Sequence, residues 1–339
     1  MKSAKSRYLY FINQFSKTLQ SAIEAHQKDP KLHPVPFLHA KDGRTPCFML
    51  QALARIDVKT GRHNDLAEEW LSEFKALEDG IGKYDYWAAY LQQNKAWKFP
   101  APVVKYITEQ AQIAIGVLEE RLIKWGWMVK HIDGSYHYSP VAVNRFKIKA
   151  EKAKWYKSEK EYIKLLKFFR DETIEIHEKL VTKELDLNKL EEGIHELRRK
   201  LRWIAIYCIA LRGKVALAKP QPGDALSQYI TPENQNTKFN QLPKSKTETH
   251  VLNILPGAYY AMSNVIKSIG DIKDPGLCTE EFQKIGPWFG ISLAQLKKHL
   301  THDFKTHHQV VQETRQIIET YLIKDEVLKH MSAFFNNQL

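Results

Sequence analysis

The sequence predicts an all-α protein built from two packed antiparallel helical bundles, related to each other by a pseudo-twofold repeat. Apolar residues recur at spacings of three and four over most of the chain, which is the period of amphipathic helices packed on one another. Alternating apolar and polar runs, which are typical of strands, are scarce. The 339 residues exceed twice a usual domain length, and each half contains a hydrophobic-glycine segment.

Prolines mark where the predicted helices end. Pro30, Pro34 and Pro36 end the first helix, and Pro100 and Pro102 separate two later ones. Proline has this effect because it lacks the backbone donor and clashes with the preceding helical turn.

Two segments interrupt the helical pattern. Apolar and aromatic residues flank Asp133-Gly134, a pair suited to a two-residue turn, so a small β-hairpin is expected near 127–138. Residues 219–247 carry four prolines and no sustained period, which indicates a long, mobile connection that can be shortened without unfolding. We expect an N-terminal bundle over 1–139 and a C-terminal bundle over 140–339, forming one integrated unit.

Composition predicts a soluble cytoplasmic protein that is attracted to anions. The 51 Lys and Arg residues outnumber the 39 Asp and Glu residues, giving a formal charge of +12. The three cysteines are widely separated, which is typical of small, reduced core residues in a reducing compartment. No apolar run is long enough to span a membrane, and the basic N-terminus lacks the unbroken apolar run of a signal peptide.

Positive charge is concentrated between Arg145 and Arg170, where ten basic residues accompany three acidic ones. The seven-residue recurrence of Ile148, Trp155, Tyr162 and Phe169 predicts one long helix with a buried stripe. The opposite face carries Arg145, Lys149, Lys152, Lys160, Lys164, Lys167 and Arg170. This face is either a solvated surface or one wall of an anion-binding groove, and its low acid content favours the groove.

A second cationic cluster lies between Gly193 and Trp203. Its members share one helical face because they are spaced 0, 3, 4 and 7 residues apart; they are His195, Arg198, Arg199 and Arg202. Guanidinium groups match the paired oxygens of phosphate, and a histidine can donate one more hydrogen bond. The alternative is a cationic helix end paired with the neighbouring acids, which are Glu191, Glu192 and Glu196.

The second cluster resembles a signature of the conserved histidine α-helical domain family, abbreviated CHAD, whose members bind inorganic polyphosphate. In that signature a histidine is followed by arginine at position three and a basic residue at position seven, as in His195, Arg198 and Arg202. Family repeats end on a hydrophobic-glycine segment followed by aspartate. The two matching segments are Ile81-Gly82-Lys83-Tyr84-Asp85 and Ile269-Gly270-Asp271-Ile272-Lys273-Asp274.

The chain departs from this family pattern in its first half. A His-x-x-Arg helix is expected upstream of Gly82, but His39 is followed by helix-breaking residues up to Pro46. One wall of the family's basic groove is therefore either missing or replaced by the helix predicted from Arg145 to Arg170. The resemblance implies that the Gly82 and Gly270 segments form turns at equivalent places in the two halves.

Three classes of function stay open. The first is binding of inorganic polyphosphate or a similar polyanion in a groove between the two cationic clusters. The second is binding of nucleic acid, with Trp125, Trp127 or Tyr156 stacking on bases. The third is a helical enzyme with a site beneath the loop at 219–247, which a deep pocket with desolvated carboxylates would favour.

No catalytic residue, metal or cofactor is predicted. The chain lacks a Walker loop, a Gly-x-Gly-x-x-Gly run and a Gly-x-Ser-x-Gly elbow. A histidine cluster near the C-terminus lacks the His-Glu-x-x-His spacing that places two ligands on one helix face. Its members, with one aspartate among them, are His299, His302, Asp303, His307 and His308.

Overall fold

The protein is helical, as its periodicity predicts. The structure is a computed structural model and describes residues 4–62, 64–97, 99–245, 248–292, 295 and 307–339, without the side chains of residues 64, 95–97, 274–283 and 307. Helices make up 73% of it, and the strands described form two short pairs. The all-α class is therefore confirmed. None of the helices in this part of the chain is long and apolar enough to cross a membrane.

The described residues form two compact units. The N-terminal unit contains residues 4–155 and 281–292, and the C-terminal unit contains residues 156–280 and 307–339. The boundary expected after residue 139 therefore lies after Trp155. It moves because the helix that follows the hairpin packs against the first helix of the N-terminal unit.

Six helices are described in the N-terminal unit before its boundary. They are α1 (Ala4–Lys28), α2 (Pro34–Ala40), α3 (Arg44–Lys59), α4 (Asn64–Trp97), α5 (Ala101–Lys124) and α6 (Val141–Lys152). The prolines mark helix ends as predicted, since α2 begins on Pro34 and α5 begins just after Pro100. Helices α3, α4 and α5 pack in sequence order around an aromatic core, in which the Phe74 and Phe146 rings stack 5.0 Å apart.

The predicted hairpin is present in this unit. Strands β1 (Met128–Lys130) and β2 (Tyr136–Tyr138) pair antiparallel. Their turn is longer than the predicted two residues, because the next backbone pair joins His131 to Ser135 and leaves three residues in the loop. Gly134 has a φ of 84°, the left-handed conformation that a three-residue hairpin loop requires.

The C-terminal unit is built on helices and one parallel strand pair. Its helices are α7 (Ser158–Val181), α8 (Glu196–Ala210), α9 (Pro232–Asn236), α10 (Pro256–Ile285, assigned to this unit up to residue 280), α11 (His307–Ile318) and α12 (Val327–Asn336). Single π-helical segments precede α8 (Leu190–His195) and α12 (Glu319–Lys324). Strands β3 (Val215–Leu217) and β4 (Leu252–Ile254) pair parallel, and α7 packs against α12.

The single long helix predicted from Arg145 to Arg170 is wrong. Helix α6 ends at Lys152, the backbone is extended at both Ala153 and Lys157, and α7 begins at Ser158. The predicted core stripe breaks as well, since Ile148 is 53% exposed. The physical reason is Trp155, whose indole N–H turns back to donate to the Ala150 carbonyl at 2.8 Å and so satisfies the end of α6.

The segment from Lys219 to Thr247 is more structured than predicted. It contains α9 and two short 3₁₀ helices, Ser227–Tyr229 and Lys238–Asn240. Asn240 is buried and donates to the Asn234 carbonyl at 2.8 Å, while Tyr229 donates its hydroxyl proton to Asp325. A segment held by such bonds differs from the irregular connection that its composition predicts.

Candidate functional site

The second cationic cluster lies where a π-helical segment passes into α8. Gly193 makes this entry possible, because a Cβ atom there would overlap the carbonyl of Asp186. The π-helical segment places His195 at the start of α8, and Arg198, Arg199 and Arg202 follow within the helix. The four residues predicted to share one helical face therefore follow one another from the π-helical segment into the first two turns of α8.

His195 is held in a neutral form by a buried lysine. The Lys273 ammonium lies 2.9 Å from His195 Nδ1 and 2.7 Å from Glu191 Oε1, and the lysine side chain is only 2% exposed. An ammonium can only donate, so Nδ1 accepts and the ring proton sits on Nε2. Burial and the charge of Lys273 lower the pKa of His195 below its usual value. His195 therefore contributes an N–H donor without contributing a charge.

Arg198 is anchored on α10. Its Nε donates to the Ile266 carbonyl at 3.0 Å. Its guanidinium lies against Gly270, where a Cβ atom would come 3.0 Å from Arg198 Cζ. The glycine is needed because any side chain at this position would push the guanidinium away from the helix.

The remaining two arginines of the cluster lie at the surface. Arg199 Nε donates to Glu196 Oε2 at 2.7 Å, which raises the pKa of the arginine, and Arg202 is exposed. The pairing with neighbouring acids that we considered as the alternative is thus found for Arg199. The other two acids pair elsewhere, Glu191 with Lys273 and Glu192 with Lys189.

The N-terminal unit contains a matching arrangement that the sequence reasoning missed. Arg44, the first residue of α3, places its guanidinium against Gly82 of α4, where a Cβ atom would lie 2.8 Å from Arg44 Cζ. Its Nε donates to Glu78 at 2.7 Å and its Nη1 donates to Asp85 at 3.0 Å. His39 Nε2 donates to the same Asp85 at 2.9 Å.

The two arrangements agree position by position relative to the glycine. Four residues before it, Glu78 or Ile266 accepts from the arginine Nε. Three residues after it, Asp85 or Lys273 bonds to the histidine. This recurrence of glycine with fixed offsets was present in the sequence, but nothing in the sequence showed that an arginine at 44 reaches the first glycine.

Both glycines lie inside long helices, so the prediction that their segments form turns is wrong. Gly82 is within α4, and Gly270 is within α10. Close approach of a guanidinium, and not a change of chain direction, is what requires glycine at these positions. The side chain of Asp274, part of the second predicted segment, lies outside those that the structure describes.

Three lysines of α7 line one surface depression. Lys160, Lys164 and Lys167 surround a space of about 300 Å³, together with Glu159 and the partly exposed Ile163. None of the three lysines has a carboxylate within ion-pair distance among the described residues. An unpaired cationic face of this kind is what a polyanion requires.

Lys149 and Lys152, which were expected on the same face, belong to α6 in the N-terminal unit. Lys149 bonds to Glu69 at 2.6 Å, and Lys152 is exposed. The break at Trp155 separates them from the α7 lysines, so the structure does not bring the predicted lysine row together on one helix.

The α7 lysines and His195 lie towards opposite ends of the α7–α8 pair. Lys200 bonds to Glu175 at 3.2 Å, and the Phe168 and Tyr207 rings meet at 5.0 Å, which fixes the antiparallel register. At a rise of about 1.5 Å per residue, this register separates the levels of His195 and Lys164 by about 24 Å along the helices. The prediction had the two clusters facing each other across a groove. In the structure they instead follow one another along the α7–α8 pair.

The aromatic side chains that were considered for base stacking are mostly engaged. Trp127 is fully buried and donates its indole proton to Glu73 at 3.1 Å. Trp125 and Tyr156 are half-buried, and the Lys160 ammonium lies 4.8 Å from the centre of the Tyr156 ring. Trp127 is therefore removed from the set that could stack on a base.

A pocket of about 370 Å³ lies beneath the segment at 219–247, as the enzyme hypothesis expected. Its carboxylates, Glu233 and Asp271, are exposed and not desolvated. Acid-base catalysis at a shifted pKa requires burial or close charges around such groups, so this pocket does not favour an enzyme.

Part of the C-terminal histidine cluster, His299, His302 and Asp303, lies outside the described residues. Among its histidines only His308 has a described side chain, and it is exposed. Within the described part of the chain, no group of three or more His, Cys, Asp or Glu residues is arranged to hold a metal ion. In comparisons with known proteins, no family model, no curated protein and no solved structure matches the chain.

Proposed function

We propose that the C-terminal unit binds inorganic polyphosphate or a similar phosphate-rich polyanion along the α7–α8 pair. The observation that carries the proposal is the depression lined by Lys160, Lys164 and Lys167, which have no carboxylate partner within the described residues. Unpaired ammonium groups at spacings of three and four present a continuous cationic edge on one side of a helix.

The α8 cluster extends this edge. Arg199 and Arg202 are exposed at the surface, and His195 carries its proton on Nε2. A flexible chain of phosphates can follow cations spread over about 24 Å of helix length, whereas a single small anion can contact one cluster only. The resemblance to the CHAD family supports the same ligand, and the arginine-on-glycine arrangement in both units supports the internal repeat that the family implies.

The direct test is to remove two unpaired lysines. Polyphosphate affinity of the Lys164→Ala, Lys167→Ala double variant should fall, and the dependence of log affinity on log salt should become shallower by about 1.4, since each phosphate contact on a single strand contributes about 0.7. Replacing Arg199 and Arg202 together should have a similar effect. We exclude Arg198 from this test because it anchors α8 to α10.

A matched control is the Lys324→Ala, Lys329→Ala variant, which removes the same charge from exposed positions near the C-terminus. It should change affinity much less. Equal losses in both double variants would mean diffuse electrostatic attraction and would contradict the proposed site.

Nucleic acid is the competing ligand, because the same cations would contact its phosphates. Affinities for polyphosphate, RNA and DNA should be measured at matched phosphate concentration and salt. We expect polyphosphate to bind tightest, since Trp127 is buried in the core and cannot stack on a base. Tighter binding of RNA or DNA would assign the surface to nucleic acid instead.

A further inference from the structure

The pocket beneath residues 219–247 is lined mainly by polar side chains. It lies between this segment, one face of α10 and the side chain of Tyr321. The α10 face consists of Asn264, Lys267, Ser268 and Asp271, which share it because they are spaced 0, 3, 4 and 7 residues apart. A chain segment folded over this stripe leaves a hollow of about 370 Å³ instead of packing against it.

The four α10 side chains make no side-chain hydrogen bond or ion pair within the described part of the protein. Lys267 and Asp271 are one turn apart but do not form an ion pair. Asn264 and Ser268 are half-buried, and Lys267 and Asp271 are exposed, so water can satisfy these groups when the pocket is empty. The four groups are therefore available to a polar ligand, and the volume of the hollow falls in the range of small-molecule sites.

The charges around the pocket are mixed, so a ligand of either sign meets some repulsion. Glu233 and Asp271 repel a phosphate or carboxylate, so the pocket does not extend the polyanion surface. Lys267 lies one helical turn from Asp271 and repels an ammonium group. A neutral ligand meets neither repulsion.

Hydroxyl groups match the remaining chemistry. Asn264 and Ser268 both donate and accept, Lys267 only donates, and the two carboxylates only accept. A hydroxyl group can form a hydrogen bond with each of these side chains because it donates one hydrogen bond and accepts two. The Tyr229 and Tyr321 rings, whose centres are 5.1 Å apart, add an apolar face at one side of the pocket.

We propose that this pocket binds a small neutral carbohydrate. Its hydroxyl groups bond to the α10 stripe and to Glu233, and its C–H face packs on Tyr321. The inference is independent of the polyanion proposal, because it concerns a different surface with the opposite preference for charge.

The test uses sugars that share one ring and differ in charge. Binding of glucose, glucose 6-phosphate and glucosamine to the full chain should be compared by saturation-transfer NMR, with maltose and cellobiose as larger neutral probes. We expect signals from the neutral sugars and weaker or absent signals from the phosphorylated and amino sugars. No binding of any neutral sugar, or stronger binding of a charged one, would overturn the proposal.

Variants locate the binding in the pocket. Asn264→Leu preserves size and removes two kinds of hydrogen bond, so it should abolish the neutral-sugar signal, and Tyr321→Ala should do the same if the variant keeps its thermal melting profile. Lys329→Ala, which removes an exposed side chain that does not line the pocket, should leave the signal unchanged. Retention of the signal in Asn264→Leu would show that the sugar binds elsewhere and would refute the assignment.

Discussion

Replacing Gly270 with alanine should destabilise the protein although alanine favours helices. Gly270 is inside α10, where a glycine-to-alanine change ordinarily stabilises by about 1 kcal/mol. Here the new methyl group would overlap the Arg198 guanidinium, whose Cζ would lie only 3.0 Å from it. The arginine side chain is the flexible partner, so it must move off the helix.

The magnitude follows from what the displaced arginine loses. Arg198 Nε donates to the Ile266 carbonyl at 3.0 Å, and a hydrogen bond from a charged group contributes about 1.5 to 3 kcal/mol. Subtracting the helix gain of about 1 kcal/mol leaves a net loss of about 0.5 to 2 kcal/mol in the free energy of unfolding.

Urea unfolding of matched variants measures this difference. Gly116 lies inside α5 with no atom within 4 Å of a built Cβ, so Gly116→Ala should stabilise by about 1 kcal/mol. Gly82→Ala, which displaces Arg44 in the N-terminal unit, should behave like Gly270→Ala. If Gly270→Ala stabilised the protein as much as Gly116→Ala, the close contact between Arg198 and α10 would not exist.

Three further changes test other parts of the C-terminal unit. Tyr229→Phe removes the hydroxyl that donates to Asp325 and should lower the free energy of unfolding by about 1 kcal/mol in urea titrations, whereas no change would show that the segment at 219–247 is not anchored there. The Lys214 ammonium lies 3.6 Å from the buried Glu248 carboxylate, and Lys214→Met leaves that carboxylate without its ion pair. The variant should have a lower Tm and lose about 3 to 5 kcal/mol in the free energy of unfolding. Unchanged stability would contradict the ion pair. The pKa of His195 is lowered from 6.5, so the folded protein binds fewer protons than the unfolded chain and stability should fall as pH drops below that value. His195→Gln should remove this part of the pH dependence of unfolding, and an unaltered profile would mean that other groups cause it.

The helical fold was predictable because the residues that a packed helix buries recur at spacings of three and four in the sequence. The hairpin was predictable from Asp133-Gly134, yet its loop length was not, since two- and three-residue loops both use such glycines. The break between α6 and α7 was hidden because Trp155 continues a seven-residue apolar pattern while its indole caps the helix before it. Apolar spacing records which residues avoid water and does not record which of them bond to a helix end.

The residues of the candidate site were more predictable from the sequence than their arrangement in space. Spacing predicted that His195, Arg198, Arg199 and Arg202 share one helical face, and the structure has them in succession from the π-helical segment into α8. It did not reveal Lys273, which sets the protonation state of His195 from a helix far along the chain. Contacts between residues distant in sequence depend on how helices pack, and a single sequence carries no covarying positions that would indicate them.

The two arginine-on-glycine arrangements explain why the polyanion proposal concerns the C-terminal unit. In the N-terminal unit the guanidinium of Arg44 bonds to two carboxylates, Glu78 and Asp85, so this copy satisfies its own charge and serves to join α3 to α4. In the C-terminal unit the position of Asp85 is taken by Lys273, and a backbone carbonyl takes the position of Glu78. The same packing of an arginine against a glycine therefore has a carboxylate beside it in the N-terminal unit and an ammonium group beside it in the C-terminal unit. Because the scaffold recurs while the charge does not, the shared geometry serves to join helices, and the polyanion proposal rests on groups outside it, which are the α7 lysines and the exposed Arg199 and Arg202.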